Sequence, residues 1–132
     1  MPQSLPTLCG SIMGSPFSLS AKIHNAAYAA LGLDYTFVCF GIEDPVAGVA
    51  AIRTLGVRGM NVSMPYKTVV MEHLDAIDES ALVIGAVNTI NNVDGVLTGY
   101  NTDVDGFLYL ARRTGVSFEG RKVLILGSGG TS

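Results

Sequence analysis

Apolar runs of strand length alternate along this chain with segments of helical periodicity. The runs are LCGSIM, YTFVCF, RGMNVSM, NTINN, VLTGY and KVLILG, with helical patterns after the first, second, third and fifth. Such alternation predicts βαβ units and a largely parallel sheet. In the first helix Ile23, Ala26, Ala27, Ala30 and Leu31 recur at i, i+3, i+4, i+7 and i+8, which predicts one buried stripe ending at Gly32. Val104, Phe107, Leu108 and Ala111 predict the same for the last helix. Asp-Gly in NNVDG, between Ile90 and Val96, predicts a hairpin of adjacent antiparallel strands. The predicted fold is therefore α/β, an open mixed, mostly parallel sheet flanked by helices.

Composition narrows the class of partner. With 132 residues, 48% of them apolar, and 16 glycines, the chain can bury a real core. Eight basic against 11 acidic residues give a net charge of −3, with the basic ones scattered, so no footprint for nucleic acid is present. The apolar runs stop well short of the ~20 residues a membrane span needs, and the first ten residues lack signal-peptide character. A cytoplasmic protein acting on a small molecule is the expectation. Cys9 and Cys39 sit in strand-like runs without metal-ligand spacing and read as reduced packing residues.

RTGVSFEGR precedes KVLILG as a polar connector, placing a domain boundary at 114–121. Residues 1–113 form the first predicted domain. Residues 122–132 carry a new strand and a glycine turn, Gly127, Ser128, Gly129, Gly130 and Thr131, of the kind that lets backbone approach a pyrophosphate. The reading is the first strand of a truncated nucleotide-binding domain, with a plain turn after an edge strand as the alternative.

In open α/β sheets, ligands bind beyond the carboxyl ends of the strands. Polar residues follow four runs there: Ser18 and Ser20, then Ser63 and Lys67, then Asn88, then Asp103. Each has a plainer reading. Ser18, Ser20 or Asp103 could cap a helix, and Asn88 could tie down a loop. Lys67 fits that view poorly, because lysine at a helix start opposes the macrodipole. Together they describe a pocket for a polyol or hydroxy acid, with hydroxyls and an amide to hold ligand OH groups and a Lys/Asp pair to move one proton. His24 and His73 compete as acid/base groups, but both fall within helical patterns.

NVSMPYK, GAVNTI and GYNTDVDGF, in this order, resemble the signatures of the shikimate dehydrogenase family. SLSAKIHNAAYAALGLDY is similar to its N-terminal serine motif, and VLILGSGGTS to the opening of its NADP-binding domain. The resemblance spans nearly the whole chain. It implies a substrate-binding and catalytic domain followed by a Rossmann domain, and reversible reduction of 3-dehydroshikimate to shikimate with NADP, or NAD as the alternative cofactor. Broader quinate/shikimate use and a non-catalytic shikimate-binding fragment are the alternatives. Lys67 and Asp103 resemble the catalytic pair, with Lys67 the proton carrier and Asp103 orienting it. By the same resemblance Ser18 and Ser20 hold the substrate carboxylate, Ser63, Asn88 and Asp103 its ring hydroxyls, Glu79 approaches the nucleotide, and Gly127 to Thr131 form the phosphate turn. Ser63 stands where many members carry threonine, and Ala21 replaces a proline that usually follows the serines. A homodimer is the expected assembly if apolar surface is left exposed.

Overall fold

The computed structural model describes residues 5–15 and 19–127. Its elements run β1 (Thr7–Met13), α1 (Leu19–Ala30), β2 (Tyr35–Gly41), α2 (Pro45–Thr54), β3 (Gly59–Val62), a 3₁₀ helix (Val69–His73), β4 (Ala76–Ile77), α3 (Glu79–Leu82), β5 (Thr89–Val93), β6 (Val96–Tyr100) and α4 (Asp103–Arg113). The six strands form one sheet in the order β2-β1-β3-β5-β6-β4. β1 pairs in parallel with β2 and β3, and β4 with β6, whereas β5 runs antiparallel to both β3 and β6. Five strands thus point one way and β5 alone is reversed. The expected hairpin is β5–β6, and its turn residues Asp94 and Gly95 have φ of 52° and 87°, the left-handed conformation that a two-residue turn requires.

The strand order reverses at β1: the chain steps from β1 to β2 on one side, then returns past β1 to β3. With right-handed crossovers this sends α1 and α2 to opposite faces of the sheet. On the α2 face lies the apolar core, where Ile12, Val49, Ile52, Val70, Ile90 and Leu97 are all essentially inaccessible. Asp44 caps α2, its carboxylate accepting from the Val46 and Ala47 N–H groups, and Pro45 opens the helix. At the other end of α2, Arg53 donates to the Asp75 carboxylate at 2.7 Å and to the Gly95 carbonyl at 3.1 Å. The Leu97 N–H, then the Arg53 guanidinium, hold the Asp75 carboxyl below its ordinary range. This ties the hairpin to the helix.

Expectations for the helices change in three places. The stripe predicted for α1 points outward: Ile23 is 58% exposed, Leu31 71%, and no residue of α1 is buried. Gly32 does end the helix, at φ 65° with the Leu33 N–H bonded to the Tyr28 carbonyl. In α4, Val104 and Phe107 are likewise exposed, and Phe107 stacks on Phe118 with ring centroids 5.7 Å apart. The helix expected after β3 is broken into the 3₁₀ turn, β4 and the four-residue α3. Residues 121–127, the strand expected to open a new domain, pair with no other strand among the described residues. A strand exists only through its ladder partners, so the apolar run KVLILG cannot make one alone.

Cys9 is buried and Cys39 half-buried, and both are free thiols. Among the described residues no helix is long and apolar enough to cross a membrane.

Candidate active site

β1, β3 and β6 end at one edge of the sheet, and the reversed β5 begins there. That edge opens into a pocket of about 720 Å³, within the ~300–1,000 Å³ range of small-molecule sites. Its floor is a row of polar side chains. The strand registers place Ser11 opposite Asn61 and Asn61 opposite Thr89, so the three share one face, and all line the pocket. Their neighbours in sequence, Ile12, Met60, Val62 and Ile90, point through the sheet into the core, as the two-residue period of a strand demands.

Lys67 reaches the pocket from the turn after β3. Met64–Pro65 is a cis peptide bond, the Tyr66 N–H donates to the Ser63 carbonyl, and the buried Tyr66 hydroxyl donates to the Ile42 carbonyl. Lys67 therefore leaves a pinned corner, ahead of the 3₁₀ helix rather than at the start of an α-helix. Its Nζ donates to Asp103 Oδ2 at 2.6 Å, with side-chain exposures of 11% for the lysine and 34% for the aspartate. At this length the bond is charge-assisted and strong. It closes across 36 residues of sequence.

Asp103 is the first residue of α4, whose amino end favours negative charge. It is not the cap: Thr102 holds that position, and the Asp103 carboxylate is turned to Lys67 and Asn88. Asn88 Nδ2 donates to Asp103 Oδ1 at 2.8 Å and to Thr102 Oγ1 at 3.0 Å. Its Oδ1 accepts from the Thr89 hydroxyl at 2.8 Å and the Thr102 N–H at 3.2 Å. Underneath, the buried Asn101 accepts from the Asp103 N–H at 2.9 Å and donates to the Ala86 carbonyl at 2.8 Å. The Val87 N–H in turn holds the Lys67 carbonyl at 2.7 Å. Both members of the pair are thereby braced by the same loop, which can hold an ammonium beside a carboxylate at a fixed place in a half-open pocket.

A sequence model of the shikimate dehydrogenase substrate binding domain matches residues 12–90. The chain belongs to that family. It is 41% identical to the shikimate dehydrogenase (NADP(+)) of Nitrosopumilus maritimus over 92% of its own length and 46% of the relative's. Among solved structures, shikimate dehydrogenase 1 of Peptoclostridium difficile superposes with a TM-score of 0.90 at 33% identity, covering 95% of this chain and 49% of that one. Shikimate 5-dehydrogenase of Listeria monocytogenes, in complex with shikimate and NAD, superposes with a TM-score of 0.85 at 42% identity, covering 96% and 45%. The chain thus spans about half the length of the shikimate dehydrogenases it matches.

Of the residues singled out in the sequence, Ser20, Ser63, Lys67, Asn88 and Asp103 all line this one pocket. Asn88 arrives by a route the sequence pattern misses: it does not follow a strand but precedes β5, and only the reversal of β5 brings it to this edge. Ser18 lies outside the described residues, as do Ser128, Gly129, Gly130 and Thr131. Gly127 is described, at φ 121°. Glu79, on the first turn of α3, lines a separate groove with Ser80, Asn101 and Val104 rather than the Lys67 pocket. His24 does line the pocket although its helical pattern argued against it; His73 does not. Sequence reading also missed Ser11, Asn61, Thr89 and Thr102. A usable signal was there for two of them, since Ser11 and Asn61 are polar positions inside the apolar runs LCGSIM and RGMNVSM.

Proposed function

We propose that this chain is the substrate-binding half of an NADP-dependent shikimate dehydrogenase, holding shikimate or 3-dehydroshikimate in the pocket and carrying the reaction's proton on Lys67. The observation that carries the reading is the 2.6 Å Lys67–Asp103 pair at the head of a hydroxyl- and amide-lined pocket, in a chain of this family. Lys67 Nζ delivers a proton to the oxygen of the reacting ketone and recovers it in the reverse direction. Asp103 fixes where that ammonium stands, and Asn88 and Thr102 fix Asp103. Ser63, Asn88 and Asp103 contact the ring hydroxyls, and Ser18 and Ser20 the carboxylate. Quinate is the alternative acid, since Ser63 keeps the hydroxyl of the threonine that many family members carry there but lacks its methyl group, which alters the packing beside the ligand.

The described residues do not by themselves fit a dinucleotide: residues 121–127 are unpaired and Glu79 faces a different groove. The division into a domain at 1–113, a connector at 114–121 and the start of a nucleotide domain at 122–132, with Gly127 to Thr131 as its phosphate turn and Glu79 near the nucleotide, belongs to this proposal. So do the choice of NADP over NAD, a cytoplasmic location and a homodimer.

Isothermal titration of the 132-residue chain with shikimate and with quinate tests the reading. Binding is expected, and Lys67→Met and Asp103→Asn each weaken it by about tenfold to a hundredfold, the range for a hydrogen bond to a charged group. A chain that binds neither acid would overturn it.

A further inference from the structure

We infer that His24 recognises the carboxylate of the bound acid, as a cationic contact that strengthens binding below neutral pH. The inference rests on the reading of the pocket as a hydroxy-acid site and names a residue that reading leaves idle. Ser20 and His24 are four apart on α1, so they share a face, and both line the pocket. The imidazole lies flat on the buried Phe37 ring, with centroids 4.1 Å apart and planes 12° from parallel. Stacking covers one face of the ring and fixes its plane.

Its hydrogen bond fixes the tautomer. Nδ1 is 2.8 Å from the Ser20 carbonyl oxygen, which can only accept, so Nδ1 carries the proton. In the neutral ring Nε2 is then a bare acceptor, which repels a carboxylate. Protonation converts it to a charged donor without disturbing the Nδ1 bond. The ring has one position and two opposite preferences.

The charge inventory of the pocket gives this switch its weight. Among the lining side chains Lys67 and Asp103 carry opposite charges and face each other at 2.6 Å, so the pair adds no net charge. Ser11, Ser15, Ser20, Asn61, Ser63, Asn88, Thr89 and Thr102 are neutral, which among the described lining residues leaves His24 as the group able to add a positive charge. Few ionisable groups stand around it. On α1 itself these are Tyr28, with ring centroids 6.2 Å away, and the exposed Lys22; β2 contributes Phe37 and, through Tyr28, Tyr35; β1 contributes Ser11 on the pocket and, through Tyr28, Cys9. The Tyr28 phenol is pushed up to about 12, first by burial and then by Cys9, and stays neutral through the working range. Among the described residues no carboxylate pairs with His24.

The test is titration of the 132-residue chain with shikimate and with its uncharged carboxamide at pH 5.5 and pH 8.0, in wild type and His24→Gln. Shikimate keeps its carboxylate ionised at both values, and the lower one favours the protonated form of an imidazole. The expected result is about tenfold tighter shikimate binding by wild type at the lower pH, with less than about twofold change for the carboxamide or for His24→Gln; two opposite charges about 4 Å apart near a protein surface suffice for that factor. Independently of any variant, NMR of the wild type should show the His24 ring protons moving on addition of shikimate and not of the carboxamide. If shikimate binds with no pH dependence, or His24→Gln keeps the full dependence, or those resonances stay still, the role of His24 is overturned and the site stands. If shikimate binds at neither pH, the site reading fails and this role with it.

Discussion

α1 and α2 flank the same parallel strands on opposite faces, and they are attached by different physics. α2 is held by burial: Val49 and Ile52 are 1% and 0% exposed and sit in the main cluster with Ile12 and Val57. α1 buries nothing completely. Its sheetward face is Ser20, His24, Asn25 and Tyr28, and its anchor is a side-chain pair of hydrogen bonds, in which Asn25 Nδ2 donates to the Phe37 carbonyl at 2.9 Å while its Oδ1 accepts the Phe37 N–H at 2.8 Å. β2 is an edge strand, so Asn25 satisfies backbone groups that would otherwise face solvent and blunts that edge as one residue of a neighbouring strand would. A helix fastened this way can turn polar groups toward a ligand. The apolar helix makes the fold and the polar one helps make the pocket.

The division can be broken most directly at Ile52. Ile52→Ala should lower the unfolding free energy by about 2–5 kcal/mol, as for other aliphatic-to-alanine changes in a packed core, and urea denaturation reads it. Shikimate affinity of the folded fraction should not change. Asn25→Ala should cost less, about 1–2 kcal/mol for two lost hydrogen bonds, yet weaken shikimate binding, because Ser20 and His24 ride on the helix it releases. An Asn25 variant that binds shikimate normally would remove the functional half of the contrast. The smallest effect is expected at Ile23, 58% exposed on the outer face of α1. Ile23→Ser should shift stability by no more than about 0.5 kcal/mol, since the two residues have similar helix propensity and little burial is lost. A larger loss would show that the outer stripe is packed after all.

Ile23 also marks the limit of reading this chain by pattern. Its spacing with Ala26, Ala27, Ala30 and Leu31 correctly announces a helix and wrongly announces which side is buried. Periodicity measures a repeat, not a direction, and here the polar side won because an edge strand offered Asn25 two backbone groups. KVLILG shows a related limit, since strand propensity needs a ladder partner and none lies among the described residues. The site motifs were more legible. NVSMPYK and GYNTDVDGF place Lys67 behind a proline corner and Asp103 on the first turn of a helix, each within a few residues of a strand end.

Local chemistry, then, was determined by the sequence alone: the alternation of strands and helices, the Asp-Gly hairpin, the stop at Gly32, and the lysine and aspartate as the groups to watch. Tertiary structure decided everything that depends on strand order and register. The reversal of β5 delivers the amino end of a strand, and Asn88 with it, to an edge otherwise built from carboxyl ends. Register aligns Ser11, Asn61 and Thr89 into a polar floor. The Lys67–Asp103 bond closes over 36 residues because β5 lies between the strands that lead to them. No local pattern contains these facts, since each is a distance between residues that only the assembled sheet makes neighbours.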